Sequence, residues 1–238
     1  MKKLLFLALL LAAALPTFAQ SSYNFQRRSL FEVLPIHSND IVFLGNSITD
    51  GHGIDMADVQ GYPAQLQRQL GSGYCVRNFG VSGRTLLNHG DRPYMKEKAW
   101  AEAKAFEPDI VVVKLGTNDS KPRNWDNYGK EFAADLQQMV DELKALPSKP
   151  AIYLCCPVAS DTGRGKQDDN QIRDSVVVAG IMPVIKKVAK KNKLQVIDLH
   201  SLLDPKSDSM QRDGIHPTAK GAAAIAKAVA EAVVAGGR

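Results

Sequence analysis

Cysteine is scarce in this chain, three residues in 238, and that scarcity excludes a disulfide framework. Three thiols leave at least one unpaired. Two of them, Cys155 and Cys156, are neighbours inside the apolar run Ile152 to Cys156. Adjacent residues on a strand point to opposite faces, so an ordinary bridge between them is geometrically poor. No pair has the spacing of zinc ligands, and all three read as small core residues. An excess of charge of one sign is also missing. The net charge is +5, and the basic residues are scattered rather than drawn into a stripe, which argues against a nucleic-acid partner. The one dense group, Lys186 and Lys187 with Lys190, Lys191 and Lys193, reads as the solvated face and end of a helix. No internal repeat, low-complexity tract or interdomain linker interrupts the chain. No Gly-x-Gly-x-x-Gly or P-loop follows the first strand, which removes the signatures of a flavodoxin-like nucleotide binder.

The apolar run Leu4 to Leu15 falls short of the roughly 20 residues that a membrane span needs. Lys2 and Lys3 precede it, Pro16 breaks it, and Thr17-Phe18-Ala19 follows. A basic start, a short apolar stretch and a small-residue cleavage pattern are the layout of a secretory signal peptide. Cleavage is expected after Ala19, leaving residues 20–238, and no cysteine stands there to carry a lipid. The expectation is an exported, periplasmic or secreted protein without stable membrane insertion. Loss of Lys2 and Lys3 lowers the net charge from +5 by two, to +3. The remaining length suits one α/β domain.

What is present is an alternation of short apolar runs with longer amphipathic stretches. Strands are expected at Ile41 to Leu44, ending at Gly45, then at Tyr74 to Phe79, Asp109 to Leu115, Ala151 to Cys156 and Gln195 to Leu199. They are β-branched and nearly continuous, as strands buried on both faces of a parallel sheet are. Helices are expected at Gly61 to Leu70, Pro93 to Phe106, Tyr128 to Leu146, Gln171 to Lys191 and Pro217 to Ala235, where apolar residues recur every three or four positions. Ser21 to Asn39 reads as an irregular arm and Asp161 to Asn170 as a loop. The alternation predicts a three-layer α/β/α sandwich on a five-stranded, mostly parallel sheet. In such sheets ligands bind beyond the carboxyl ends of the strands.

The residues at those ends carry chemistry. Gly45-Asn46-Ser47 follows the first strand and places Ser47 near a helix start, where free N–H groups favour negative charge. A serine hydroxyl needs a neighbouring base to become a nucleophile; read alone, the segment could equally be a helix cap. Gly80-Val81-Ser82-Gly83-Arg84 follows the second strand, and its glycines can bring a backbone N–H to an oxyanion. Gly116-Thr117-Asn118-Asp119 follows the third. Asn118 can supply a second donor, and Asp119 reads as a loop brace. Near the end, Asp213-Gly214-Ile215-His216-Pro217 offers an acid to orient an imidazole and an imidazole to take the serine proton. His52 lacks an orienting acid nearby and reads as a packing or surface residue. His37 and His200 belong to no constellation.

These four blocks, in this order, resemble those of the SGNH hydrolases, the GDSL-like esterases and lipases. The resemblance spans nearly the whole chain after Ala19. It implies a flavodoxin-like hydrolase fold with Ser47 as nucleophile, His216 as general base and then acid, and Asp213 as its orienter. It implies an oxyanion hole of the Ser47 and Gly83 amides with the Asn118 side chain, and no metal or cofactor. Where the family has Gly-Asp-Ser, this chain has Asn46 beside the nucleophile; altered local electrostatics, not lost activity, is the expectation. Ser82-Gly83-Arg84-Thr85 resembles the block of acetylesterases acting on pectic, xylan or sialic acid sugars. An acetylated carbohydrate, or another small ester, is therefore the expected substrate, with Arg84, Arg123 and Trp125 as candidate sugar contacts and His89 and the Asp119 to Trp125 segment, read as a loop, as candidate site lining. A lysophospholipase or thioesterase would carry the same triad. A non-catalytic carbohydrate-binding protein would be expected to have lost one of the four blocks.

Overall fold

The structure, a computed structural model, describes residues 39–162 and 171–236. The expected signal segment, His37, most of the N-terminal arm and most of the Asp161 to Asn170 loop lie outside the described residues. Five strands form one sheet: β1 (Asn39–Gly45), β2 (Tyr74–Gly80), β3 (Ile110–Lys114), β4 (Ala151–Cys156) and β5 (Gln195–Asp198). Their order is β2-β1-β3-β4-β5 and every neighbouring pair is parallel. All lie within two residues of the expected positions.

Alternation along the strands sorts side chains between two layers, as the two-residue period requires. Val42 and Leu44 of β1, Val111 and Val113 of β3, and Ile152 and Leu154 of β4 share one apolar cluster. Ile41, Phe43, Ile110, Val112 and Tyr153 face the other. The first cluster is covered by α4 (Lys98–Ala105), α6 (Phe132–Lys144) and α8 (Met182–Asn192). The second is covered by α3 (Tyr62–Leu70) and α9 (Ala219–Ala235). Ala222, Ile225, Ala226, Val229 and Val233 make the buried stripe of α9. Thr218 caps that helix by accepting from the Gly221 amide at 3.4 Å. Cys75, Cys155 and Cys156 are all buried and unbridged. Among the described residues no helix is long and apolar enough to cross a membrane.

Three helical expectations need correction. The Pro93 to Phe106 helix begins only at Lys98, because the Thr85 amide bonds Arg92 O and the Tyr94 amide bonds Thr85 O, each at 2.9 Å. That pairing holds Arg92 and Pro93 against Thr85, and a short 3-10 turn (Tyr94–Lys96) then precedes the helix. Asp119 to Trp125, read as loop, contains most of a helix, α5 (Pro122–Tyr128), with Pro122 in its first turn, where a missing N–H costs nothing. The Gln171 to Lys191 helix is broken into α7 (Asp174–Val176), a π-turn (Val177–Ile181) and α8. Gly180 in that turn lies against the Trp125 ring, where an added Cβ would come within 2.4 Å.

The chain leaves β1 for β2 on one side and returns to β3 on the other. The crevice this reversal opens lies beyond the carboxyl end of β1, and Ser47 stands there.

Candidate active site

Gly45 ends β1 because nothing larger fits: a Cβ would lie 1.9 Å from Thr49 Oγ1. The next residue, Asn46, is the cap of the one-turn helix α1 (Ser47–Asp50), its Oδ1 accepting from the Ile48 amide at 3.2 Å. The capping role therefore falls to Asn46 and leaves the Ser47 hydroxyl free. Ser47 is the first residue of α1, so its own N–H needs no intrahelical acceptor.

Ser47 Oγ lies 2.8 Å from Nε2 of His216, and Nδ1 of the same ring lies 2.5 Å from Asp213 Oδ2. These partners assign the tautomer: Nδ1 carries the proton and donates to the carboxylate, and Nε2 accepts from the serine. Asp213 Oδ1 accepts the amides of Ile215 at 2.9 Å and His216 at 3.0 Å. Partial burial alone would raise this carboxyl, but the hydrogen bonds from the His216 ring and the two amides outweigh it and hold the pKa at about 2. Gly214 makes the tight turn possible. It has φ +67°, and its position would put a Cβ 1.9 Å from Asp161 O.

The expected oxyanion donors gather at the same place. Gly83 (φ +81°) sits in the turn after β2, and Asn118 opens a short 3-10 turn (Asn118–Ser120) after β3. Asn118 Nδ2 donates to Arg84 O at 3.0 Å. That bond fixes the amide and uses one of its two hydrogens, leaving the other for the cleft. Asp119 is the brace it was expected to be: its oxygens accept from the amides of Leu87 at 2.8 Å and Leu86 at 3.1 Å. Burial raises its pKa to about 6 against those bonds.

Ser47, Gly83, Asn118, Asp213 and His216 all line one cleft of about 270 Å³. The three expected sugar contacts do not line it. Arg84 is turned away, its Nε on Glu97 at 2.8 Å and a terminal nitrogen on Ser82 O at 2.7 Å. Arg123 is exposed and paired with Asp91 at 2.9 Å. Trp125 packs on Phe132, ring centroids 5.8 Å apart, over the glycines 129 and 180. His89 is held outside by Glu131 at 2.6 Å. In their place the cleft has Arg92 and Lys121, which none of the four blocks contains, and Ser82, which the second block contains but to which no role was given. Lys121 had a signal, since it lies three residues beyond Asn118 on a tight turn. Arg92 is brought to the site by the bridge of Thr85 to Pro93 across the intervening loop, which hydrophobic periodicity does not reveal. His52 also belongs to the wall, its ring 4.7 Å from that of His216. Among the described residues it has no carboxylate partner.

A serine, an imidazole and a carboxylate in one hydrogen-bonded line, at the switch point of a parallel sheet, define the layout of a serine hydrolase. Residues 43–224 match the GDSL-like Lipase/Acylhydrolase family, and the chain belongs to it. It is 48% identical over 210 residues to an acetylxylan esterase of Xylanibacter ruminicola, covering 81% of this chain and 42% of that protein. It is 29% identical over 161 residues to a multidomain esterase of Ruminococcus flavefaciens, covering 63% of this chain and 18% of the other. The chain thus spans less than half the length of either relative. Among solved structures it resembles the fold of a carbohydrate acetylesterase, Est24 from Sinorhizobium meliloti, with TM-score 0.65, 20% identity, and coverage of 83% of this chain and 99% of that one.

Proposed function

We propose that this protein is a serine esterase that removes O-acetyl groups from carbohydrate through an acyl-enzyme on Ser47. The observation that carries the reading is the unbroken line from Asp213 through His216 to Ser47 at the cleft wall. Asp213, held ionised, keeps the imidazole Nε2 free to take the Ser47 proton as Oγ attacks the ester carbonyl carbon. The oxygen that gains charge in the tetrahedral intermediate is met by the Ser47 and Gly83 amides and by Asn118 Nδ2. His216 then gives its proton to the departing sugar oxygen, and acetyl-Ser47 remains. Water, deprotonated by the same imidazole, attacks the acyl carbon; acetate leaves and Ser47 Oγ regains a proton.

The acetyl-sugar assignment is supported by the 48% identical acetylxylan esterase and by the lining of the cleft. Among the described residues that line it, Ser82, Arg92, Thr117, Asn118 and Lys121 are polar, and Ile172 and Ile215 are the apolar side chains. Such a wall suits a polar ring and a short acyl group better than an aliphatic tail. Export belongs to the same proposal, on the strength of the Lys2 to Ala19 pattern. Intact mass of the protein recovered outside the cytoplasm would report cleavage after Ala19.

The decisive experiment is acetate release from a panel of acetylated glycans by the wild type and by Ser47→Ala. Release by the wild type that the variant loses supports the proposal. Activity on octanoyl esters but not on acetyl esters would overturn the acetyl-sugar assignment.

A further inference from the structure

The cleft holds two cations that the catalytic scheme leaves unused. Lys121 is 7% exposed and lines the cleft. Among the described residues its ammonium has no hydrogen-bond acceptor and no ion pair. The carboxylate that acts on it most strongly, Asp91, is already held by Arg123 at 2.9 Å and by Asn124 Nδ2 at 3.0 Å. Asp119 is turned onto the Leu86 and Leu87 amides. Asp50 accepts from Ser82 Oγ at 2.6 Å, and Asp213 serves His216. Among the described residues these carboxylates are therefore committed elsewhere. Arg92 stands on the same wall, a terminal nitrogen 3.2 Å from where a Cβ of Gly83 would be.

The side chain is largely buried and its ammonium has no acceptor among the described residues, and an ammonium with reduced access to water and no partner is destabilised. Burial lowers the Lys121 pKa, with Arg123 and Arg92 adding to the effect and Asp91 opposing it. An anion entering the cleft would restore what Lys121 lacks, and the planar fork of Arg92 suits a carboxylate. We propose that Lys121 and Arg92 form an anion subsite beside Ser47, and that the sugar the cleft takes carries a carboxylate, as a uronic acid does. The proposal rests on the esterase reading above for its substrate, and on the cleft alone for its anion.

The test is inhibition of 4-nitrophenyl acetate hydrolysis by sodium glucuronate at fixed ionic strength, with glucose as the neutral control and sodium sulfate as the bare anion. In the wild type, glucuronate is expected to raise KM without changing kcat, while glucose at the same concentration does neither. Lys121→Met is expected to weaken this inhibition about tenfold, the scale of one lost charge-assisted hydrogen bond, and Lys121→Arg to retain it. Equal inhibition by glucuronate and glucose would overturn the proposal, as would equal inhibition of wild type and Lys121→Met. Sulfate inhibiting as strongly as glucuronate would overturn the sugar-carboxylate assignment. Arg92→Gln, a change at an exposed side chain, provides a second variant if Lys121→Met fails to fold. Calorimetric titration of Ser47→Ala with glucuronate and with glucose separates the two readings. A wild type inert on 4-nitrophenyl acetate counts against the esterase, whereas calorimetry without preference for glucuronate counts against the subsite.

Discussion

Lys114 Nζ donates to Asn46 Oδ1 at 3.3 Å, directly beneath the nucleophile turn, and to Thr117 Oγ1 at 3.2 Å, beside the Asn118 turn. This fully buried lysine at the end of β3 therefore ties the Ser47 turn to the Asn118 turn. It also gives a physical setting for Asn46 where the family has aspartate: the asparagine offers the amine an acceptor without adding a charge. Its Nδ2 is left buried and without a hydrogen-bond partner among the described residues.

The pair makes stability depend on pH. Burial pushes the Lys114 amine down from 10.5 to about 7, with the Cys155 thiol acting weakly the other way. Above about 7 the unfolded chain holds more protons than the folded one, so stability rises with pH, by up to about 1.4 kcal/mol per unit. Above 9.0 the thiols of Cys155 and Cys156, which burial raises to about 12 and about 11, act in the opposite direction. The clean window is therefore about pH 7 to 9. Urea midpoints across it should climb in the wild type. They should climb less steeply in Asn46→Asp, whose carboxylate would hold Lys114 protonated, and in Lys114→Met, any remaining slope coming from Lys121, whose pKa burial also lowers. A wild-type slope that persists undiminished in both variants would exclude Lys114 as its source.

Asp213→Asn should leave the fold intact and reduce kcat by about 10⁴-fold, because an amide no longer enforces the Nδ1–H tautomer. KM should change little, since Asp213 acts on the imidazole rather than on the substrate. Burst kinetics with 4-nitrophenyl acetate would show acylation itself slowed. A loss below tenfold would mean that another group orients His216.

Asn118→Ala tests the oxyanion hole. Removing one donor costs about 10²–10³ in kcat where the charge is met in the transition state. The side chain also donates to Arg84 O at 3.0 Å, so melting temperature must be read beside activity. A fall in kcat with an unchanged KM supports the donor role. A lower melting temperature with unchanged kcat would assign Asn118 to the loop alone.

The five strands were legible because β-branched, near-continuous apolar runs have few other uses in a chain of this length. The hydrogen-bonded line of Asp213, His216 and Ser47 was legible because each member sits in a short block next to a strand end or a helix start. The substrate wall was not. Arg84, Arg123 and Trp125 were picked for chemical type and position near those blocks, yet Glu97, Asp91 and Phe132 claim them. Those partners are fixed by tertiary packing, which side-chain type does not encode. Lys114 was hidden for the same reason: one lysine in an apolar strand becomes meaningful only once Asn46 and Thr117 are seen around it.

Trp125 yields the sharpest test of that distinction. Its ring lies on Phe132 at 5.8 Å and fills the space that Cβ atoms on Gly129 and Gly180 would contest, at 2.8 and 2.4 Å. It thereby fits α5 to the π-turn ahead of α8. Truncating a large, partly buried aromatic leaves a cavity and costs about 3 kcal/mol or more. Trp125→Ala should therefore lower the denaturant midpoint markedly, and Trp125→Phe, which keeps most of the packing, should lower it less. Neither should alter the ratio of kcat/KM on an acetylated oligosaccharide to that on 4-nitrophenyl acetate, because the indole does not line the cleft. A stacking contact with sugar predicts the reverse, a selective loss on the oligosaccharide with stability nearly intact. Measuring both quantities on the same preparations decides between packing and recognition.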